Sequence, residues 1–343
     1  MRILIARLSA LGDTILTLPL LAELQRQLPN AKIGWLVGKQ ALPVVQSAES
    51  IDLIHVWDRK QSFFKNVFKL YSEIKKEKYD ISIDAQGLTK SAIIPFLTRI
   101  PKRIGFARKK LDARELSPAL NNICVNVPDK PAHVTSRMLS LIKVLELTPP
   151  LITPVKWKLN NDDVQYIEKW LSQHGFAKPF ITISIGAGWK TKMWENMNEL
   201  KLMTAAIHES EFKTLLLWGP DEREDVKIWS GKLNVTQAPQ TSVSQLLALQ
   251  SLSAAHIGPD TATLHAAWLL NKPTFSWFGA SDPERCAPFG DGHFVIKMLP
   301  HNWDRKSDSH AGLASLTWQA ISDNFYKWLK LIHIHQPQKA DYA

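Results

Sequence analysis

Four groups of residues in this chain combine types and spacings that can do chemistry, and each falls where an apolar run breaks. Ala254-Ala255-His256-Ile257 stops at Gly258-Pro259, presents Asp260 and Thr261, and resumes as the helix-compatible run that begins at Ala262 and carries His265. A strand, a polar turn and a helix start leave backbone N–H groups free for a phosphate, and Asp260 or Thr261 can cap that helix. A capped core helix with a buried histidine has the same pattern. After Phe180–Ile185 come Gly186-Ala187-Gly188-Trp189-Lys190-Thr191-Lys192, small residues before two lysines, which suit a backbone approaching phosphate and equally suit a solvated turn. After Thr214–Trp218 come Gly219-Pro220-Asp221-Glu222, where a carboxylate can take ribose hydroxyls. Asp13 follows the strand Arg2–Arg7, at the carboxyl end where open α/β sheets place their chemistry, although an N-cap would also be Asp. The loop before it is neither G-x-G-x-x-G nor a Walker A sequence.

The elements that must position these groups alternate. Strands are predicted at Arg2–Arg7, Lys32–Val37, Ile51–Trp57 and Tyr79–Asp84, and helices over Thr14–Leu28 and Ser62–Lys78. Pro19 kinks the first helix or marks a late start. The second turns Phe64, Val67, Phe68, Tyr71 and Ile74 to one side and five lysines elsewhere. Asp84-Ala85-Gln86-Gly87-Leu88-Thr89-Lys90-Ser91 is a further polar strand end, and Arg99, Lys102, Arg103, Arg108, Lys109, Lys110 and Arg114 cluster after it. A helix over Val134–Leu145 precedes Thr148-Pro149-Pro150-Leu151-Ile152-Thr153-Pro154, read as the linker. Helices at Asp162–Gln173, Asn198–His208, Val243–Leu249 and Trp318–Ile334 then alternate with strands at Phe180–Ile185, Thr214–Trp218 and Thr274–Phe278, before a frayed tail His335–Ala343. The pattern is α/β with parallel sheets, in two domains, residues 1–150 and 151–343, with the helix 317–334 as the element able to reach back towards the first domain.

The chain has 343 residues, no 18-residue apolar run and only Cys124 and Cys286, so neither a membrane span nor a disulfide framework is expected, and a cytoplasmic protein is. Its net charge of +10 is unevenly placed. Residues 1–150 hold 23 Lys and Arg against 13 Asp and Glu, whereas the remainder holds 19 of each. The first half should therefore meet something anionic, and with no recognition motif or basic tail that partner is not nucleic acid.

Taken together, Leu11-Gly12-Asp13 with Leu18-Pro19, the Asp84–Ser91 block, Lys192-x-Trp194, Trp218-Gly219, Asp260-Thr261-x-x-x-His265 and Phe278-Gly279-Ala280-Ser281-Asp282-Pro283 resemble the ADP-heptose:lipopolysaccharide heptosyltransferases of glycosyltransferase family 9, in order across about residues 1–290. The Asp84–Ser91 block is most similar to the type I enzymes, which add the first heptose to Kdo-lipid A. The resemblance implies the GT-B architecture of two Rossmann-like domains, with the acceptor bound by the first domain and the nucleotide-sugar by the second, across a central cleft. It makes Asp13 the catalytic aspartate and Lys192 the lysine at the pyrophosphate. Ala187, Gly188, Glu222, Asp260, Thr261, Ala262 and His265 complete the donor site, with Glu222 on the ribose, and Arg7, Ser9, Lys60, Gln86 and Arg103 fall to the acceptor. Ala262 stands where the family usually has Gly, and Ala187-Gly188 where it often has hydroxyl residues. Backbone donation survives both changes.

An inverting transfer needs one base and stabilisation of the departing ADP. Lys192 and the helix start near Thr261 can supply the latter without a metal, and the chain has no Asp-x-Asp. The expectation is a monomeric, metal- and cofactor-independent enzyme, peripheral to the cytoplasmic face of the inner membrane, that uses ADP-heptose and an anionic, lipid-linked Kdo acceptor. A family member adding a later heptose or using another nucleotide-sugar, and a non-catalytic nucleotide-sugar-binding protein, are the alternatives.

Overall fold

A computed structural model describes residues 1–108, 113–127, 133–177, 179–279, 281–298 and 313–334. Lys109, Lys110, Ala280 and the tail His335–Ala343 lie outside the described residues. The chain divides into two compact units, Met1–Lys158 and Leu159–Ala343.

The first unit holds β1 (Arg2–Ala6), β2 (Lys32–Gly38), β3 (Leu53–Trp57), β4 (Ile81–Asp84), β5 (Lys102–Phe106) and β6 (Ile123–Val125), all parallel, in the order 3-2-1-4-5-6. Ile3, Leu4, Ile5 and Ala6 have no exposed surface, as expected of a central parallel strand covered on both faces. One layer of core joins Leu4, Ala6, Leu36 and Trp57 of the sheet to Leu70 and Ile74 of the helix Phe63–Glu77. Pro19 marks a late start. A short helix, Leu11–Ile15, ends before a second one, Leu18–Gln27, whose first turn needs no N–H from proline. Hydrophobic periodicity does not reveal β5, β6 or the helix Thr89–Leu97: β6 has only three residues, β5 opens on Lys102-Arg103 and does not alternate, and the helix has Pro95 inside an apolar run with no polar face.

The helix Phe63–Glu77 is rotated from its expected setting. Asn66, Leu70 and Ile74 are its buried residues, and Phe64 and Phe68 point to solvent. Asn66 fixes the rotation: its side chain accepts from Asp58 N–H at 2.9 Å and donates to Asp58 O at 2.9 Å and to Ser62 O at 3.1 Å. A fully satisfied buried amide outweighs the preference of two aromatic rings for the interior, since turning the helix would strand those polar groups.

The second unit repeats the plan. Its strands β7 (Phe180–Ser184), β8 (Lys213–Leu217), β9 (Thr236–Gln237), β10 (Ala255–Pro259), β11 (Thr274–Phe278) and β12 (His293–Lys297) are parallel and ordered 12-11-10-7-8-9, the first unit's order counted from β7. The helix Trp318–Ile334 buries Ile321, Phe325, Trp328, Leu329 and Ile332 in this unit's core, with Phe325 edge-on to Phe275 at 4.9 Å. Among the described residues no helix is long and apolar enough to cross a membrane.

The boundary falls at Lys158 rather than 150 because the Pro-rich stretch is tied to the first unit. Glu23, with no exposed surface, accepts from Leu151 N–H at 3.1 Å and from the Thr153 hydroxyl, and forks onto Arg26 at 2.7 Å. The Arg26 bonds outweigh the opposing cost of burial and, with Thr153, Gln27 and Leu151 N–H, hold the Glu23 carboxyl at about 2 against an ordinary 4.5. Because the folded value is depressed, the stabilisation is complete above about pH 4.5 and is lost as pH falls towards 2. Glu23→Gln is expected to destabilise the first unit by about 2 kcal/mol at neutral pH, with the difference from the parent shrinking below pH 4.5. Urea titrations at pH 7 and pH 3 check it; an equal deficit at both would disprove the linkage.

Candidate active site

In both sheets the first and fourth strands of the unit are neighbours, β1 with β4 and β7 with β10. Their following segments leave towards opposite faces, which opens a crevice at the carboxyl ends. The sequence-predicted residues cluster at these two places.

In the first unit Ala6 is level with Asp84, so the loops after β1 and β4 start side by side. Gln86 ties them together, accepting from Leu8 N–H at 2.8 Å and donating to the Ser9 hydroxyl at 3.1 Å. Asp13, in the first turn of Leu11–Ile15, accepts through Oδ2 from the Arg7 guanidinium at 2.7 Å and from Ala10 N–H at 3.3 Å. Its side chain is 45% exposed, and its Oδ1 takes part in none of the described hydrogen bonds. Asp84 is the contrast. It is buried and accepts from Gln86 and Gly87 N–H, the Ser117 hydroxyl and the Asn121 amide, so it holds the turn together and has no lone pair facing outward.

Two expected acceptor residues prove to be placed otherwise. Arg7 is 7% exposed and commits its guanidinium to Asp13 and to Ala85 O at 2.5 Å, so it positions the carboxylate instead of offering a free charge. Arg103 lies near the amino end of β5, level with Ser82, and donates to Leu120 O and Ile100 O at 2.9 and 2.7 Å. The structure does not bring it to Asp13. Lys60 is exposed in the turn after β3, at the correct edge of the sheet. Sequence reasoning missed Lys90, in the first turn of Thr89–Leu97. Its pKa is lowered by burial first and then by the neighbouring charges of Arg59 and Arg7, with Glu115 opposing. Cations held close enough to disfavour one another mark a place that an anion would relieve.

In the second unit the Lys192 ammonium donates to Asp260 Oδ2 at 2.6 Å and to Asp260 O at 3.1 Å, leaving its third N–H uncommitted in those bonds. The position of Lys192 follows from Trp194, which is fully buried and edge-on to Trp277 at 5.5 Å. The Lys190–Lys192 turn is thereby pinned to the carboxyl end of the sheet. Asp260 is 8% exposed, and its Oδ1 takes His265 Nε2 at 3.1 Å. Burial alone would raise its pKa, but the hydrogen bond and charge of His265 and the charge of Lys192 outweigh that and keep the carboxyl ionised far below the usual range. His265, expected among the donor contacts, is buried and acts through Asp260. Thr261 precedes the helix Ala262–Leu269, and its hydroxyl, bonded to Pro259 O and Thr263, belongs to a chain ending at Ser184. Ligand donation there falls to the backbone N–H groups of the first turn, which have no partner within a helix.

Ala187, Gly188 and Glu222 line one groove of about 610 Å³ with Met193, Met197 and Trp229. A Cβ on Gly186 would sit 1.7 Å from Glu222 Oε1, whereas one on Gly188 would meet nothing within 4 Å. Gly186 is therefore demanded by the Glu222 carboxylate, which also accepts from Gly219 N–H at 2.7 Å. Among the described residues no three His, Cys, Asp or Glu side chains are grouped to hold a metal.

Two six-stranded doubly wound units are the architecture of GT-B glycosyltransferases. The chain belongs to glycosyltransferase family 9 (heptosyltransferase), whose family model matches residues 67–311. It is 25% identical over 305 residues to the lipopolysaccharide core heptosyltransferase OpsX of Haemophilus influenzae, covering 87% of this chain and 84% of that one. In fold it is similar to the family 9 glycosyl transferase of Veillonella parvula, with a TM-score of 0.83 at 18% identity over 96% of this chain and 97% of that one. It is likewise similar to Escherichia coli heptosyltransferase WaaC, solved with ADP, with a TM-score of 0.73 at 22% identity over 96% and 100%.

Gly186→Ala is expected to displace the Glu222 carboxylate and break its bond to Gly219 N–H while the buried sheet stays intact. Amide exchange at Gly219 should accelerate by about tenfold or more, the loss of roughly one hydrogen bond. Unchanged protection would show that Glu222 does not depend on this glycine.

Proposed function

We propose that the chain transfers heptose from ADP-heptose to the Kdo of an anionic Kdo-lipid A acceptor, with inversion and without a metal, as the first heptose addition in building the lipopolysaccharide inner core. The observation that carries this reading is the Lys192–Asp260 pair beside the start of Ala262–Leu269, next to the Glu222 groove, all in one unit. It is a diphosphate cradle with a nucleoside groove attached. The ADP of the WaaC structure and the lipopolysaccharide named for OpsX support the same donor and the same product class. The Asp84–Ser91 block favours the first heptose over later ones.

In this reading the diphosphate meets the third Lys192 N–H and the N–H groups of Ala262 and Thr263, and the Glu222 carboxylate takes the ribose hydroxyls. Ala187 and Gly188 leave the backbone open beside the phosphates. In the first unit, Lys90, Arg59 and Lys60 meet the charge of the acceptor, while Gln86 and Ser9 fix the loop that carries Asp13. The acceptor hydroxyl oxygen attacks the anomeric carbon as the bond from that carbon to the β-phosphate oxygen breaks. Asp13 Oδ1 takes the hydroxyl proton, and the electron pair leaves with ADP. A single displacement inverts the centre and needs only one carboxylate. The negative charge that grows on the leaving diphosphate meets Lys192 and the helix start, which are already in place.

Asp13→Asn removes basicity and retains an oxygen for Ala10 N–H. Turnover is expected to fall by about 10²–10⁴, with ADP affinity unchanged. Stability should fall by about 1–2 kcal/mol, because Asn keeps an oxygen for the buried Arg7 guanidinium but loses the charge that balances it. Full turnover would remove Asp13 from the base role, and a parent protein that binds ADP-heptose without turnover would establish the binding-protein alternative.

Lys192→Ala is expected to lower kcat by about 10²–10³ while acceptor affinity holds, because the lysine meets charge that develops only as ADP departs. A change confined to KM for the donor would instead make Lys192 a ground-state contact.

A further inference from the structure

The mechanism leaves the outer face of the helix Phe63–Glu77 without a role. Phe64 and Phe68 are 72% and 75% exposed, which is uncommon for phenylalanine and is imposed here by the Asn66 bonds that fix the rotation. With Tyr71 and Lys75 they recur at i, i+4, i+7 and i+11, one stripe along the helix. Lys65, Lys69 and Lys76 form the neighbouring stripe and are exposed.

The two acidic residues of the helix are each engaged within the unit. Glu77 is paired with Arg2 at 2.7 Å, and Glu73 lies 3.7 Å from His55 Nδ1 and 3.9 Å from Lys69. Both carboxylates thus lie against cationic or imidazole groups of their own unit, and of the four exposed lysines of the helix only Lys69 shares a described ion pair with one of them. The outward surface is two bare aromatic rings bordered by cations, a combination that a neutral protein partner would not complement. A surface of densely packed phosphates above hydrocarbon would.

We propose that this face docks on the surface of an anionic lipid bilayer, with Phe64 and Phe68 entering the acyl boundary and Lys65, Lys69, Lys75 and Lys76 meeting headgroup phosphates. The inference builds on the reading of the acceptor as lipid-linked, and it names the element that would bring the enzyme to that acceptor. Neither ring touches the Asp13 loop in any described contact, so docking and chemistry can be separated.

The test is flotation of the full chain with vesicles of phosphatidylglycerol and phosphatidylethanolamine, and with phosphatidylcholine vesicles as the neutral control. The parent should float with the anionic vesicles only, and its partition should fall as salt rises from 0.1 to 1 M, where screening shortens from about 10 to about 3 Å. Phe64→Ser with Phe68→Ser should lower the partition by about tenfold or more while leaving melting temperature and transfer to a water-soluble, deacylated acceptor unchanged. Equal flotation of parent and double variant would overturn the proposal. So would a parent that ignores anionic vesicles, or a concentration-dependent dimer in sedimentation that the double variant abolishes without any vesicle binding. If the parent transfers no heptose to any acceptor yet floats through its phenylalanines, the proposed activity fails and the docking surface stands.

Discussion

Asp13, Gln86 and the Lys192–Asp260 pair depend on one constraint of parallel sheets, the point at which strand order reverses. β1 lies beside β4 and β7 beside β10, and the chain after each partner turns to the opposite face of its sheet. Backbone at the carboxyl ends is therefore left uncovered, which a connection on a single face would not allow. The registers place Ala6 beside Asp84 and Ile257 beside Ile183, so loops from distant parts of the sequence begin within hydrogen-bonding reach. Gln86 reaches Leu8 and Ser9 across 78 and 77 residues of sequence, and Lys192 reaches Asp260 across 68. Those bonds are consequences of topology before they are features of a site.

Burial then sorts chemically identical side chains into different tasks. Asp84 and Asp260 are both buried, and each is saturated: Asp84 by neutral donors that shape a turn, Asp260 by Lys192 and His265. A saturated carboxylate is rigid and positions what it touches, but it has little capacity to accept a proton in a reaction. Asp13 is half exposed with one oxygen anchored, which leaves the other available. Its Arg7 partner, 2.7 Å away, supplies orientation, and orientation is the scarcer quantity on a loop.

Much of this was legible in the sequence because the strong signals are local. Strands β1 and β2 are apolar after their first residue, β7, β8 and β11 are mostly apolar with buried Ser or Thr among them, and the polar turns at their ends stand out against them. Asp13, Lys192, Glu222 and Asp260 could be picked from that contrast, and the family resemblance supplied their roles. What was not legible depends on neighbours remote in sequence. Arg103 looks like any basic residue until β5 places it near the amino end of the sheet among carbonyls. Lys90 becomes distinctive only when Arg7 and Arg59 approach it. The outward Phe64 and Phe68 contradict the simplest wheel for their helix, because one asparagine bonded to Asp58 and Ser62 counts for more than two aromatic rings.

The two units also meet negative charge by different means, and the difference suits what each would bind. In the second unit the lysine is already balanced by Asp260, so the cradle is close to neutral, and its pull comes from one spare N–H and from helix N–H dipoles. Under the proposed function such a site would gain most when further charge appears on a diphosphate held there, which favours departure over storage. In the first unit Lys90 feels the charges of Arg59 and Arg7 with Glu115 opposing, and Arg7 is itself paired with Asp13, so Lys90 and Arg59 supply the standing positive charge. Standing charge suits a partner whose own charge does not change during the reaction, such as an acidic sugar or a lipid phosphate, because attraction at long range and fixed orientation are all that is required of it. The excess of Lys and Arg in residues 1–150, and the even balance in the remainder, express that division in composition.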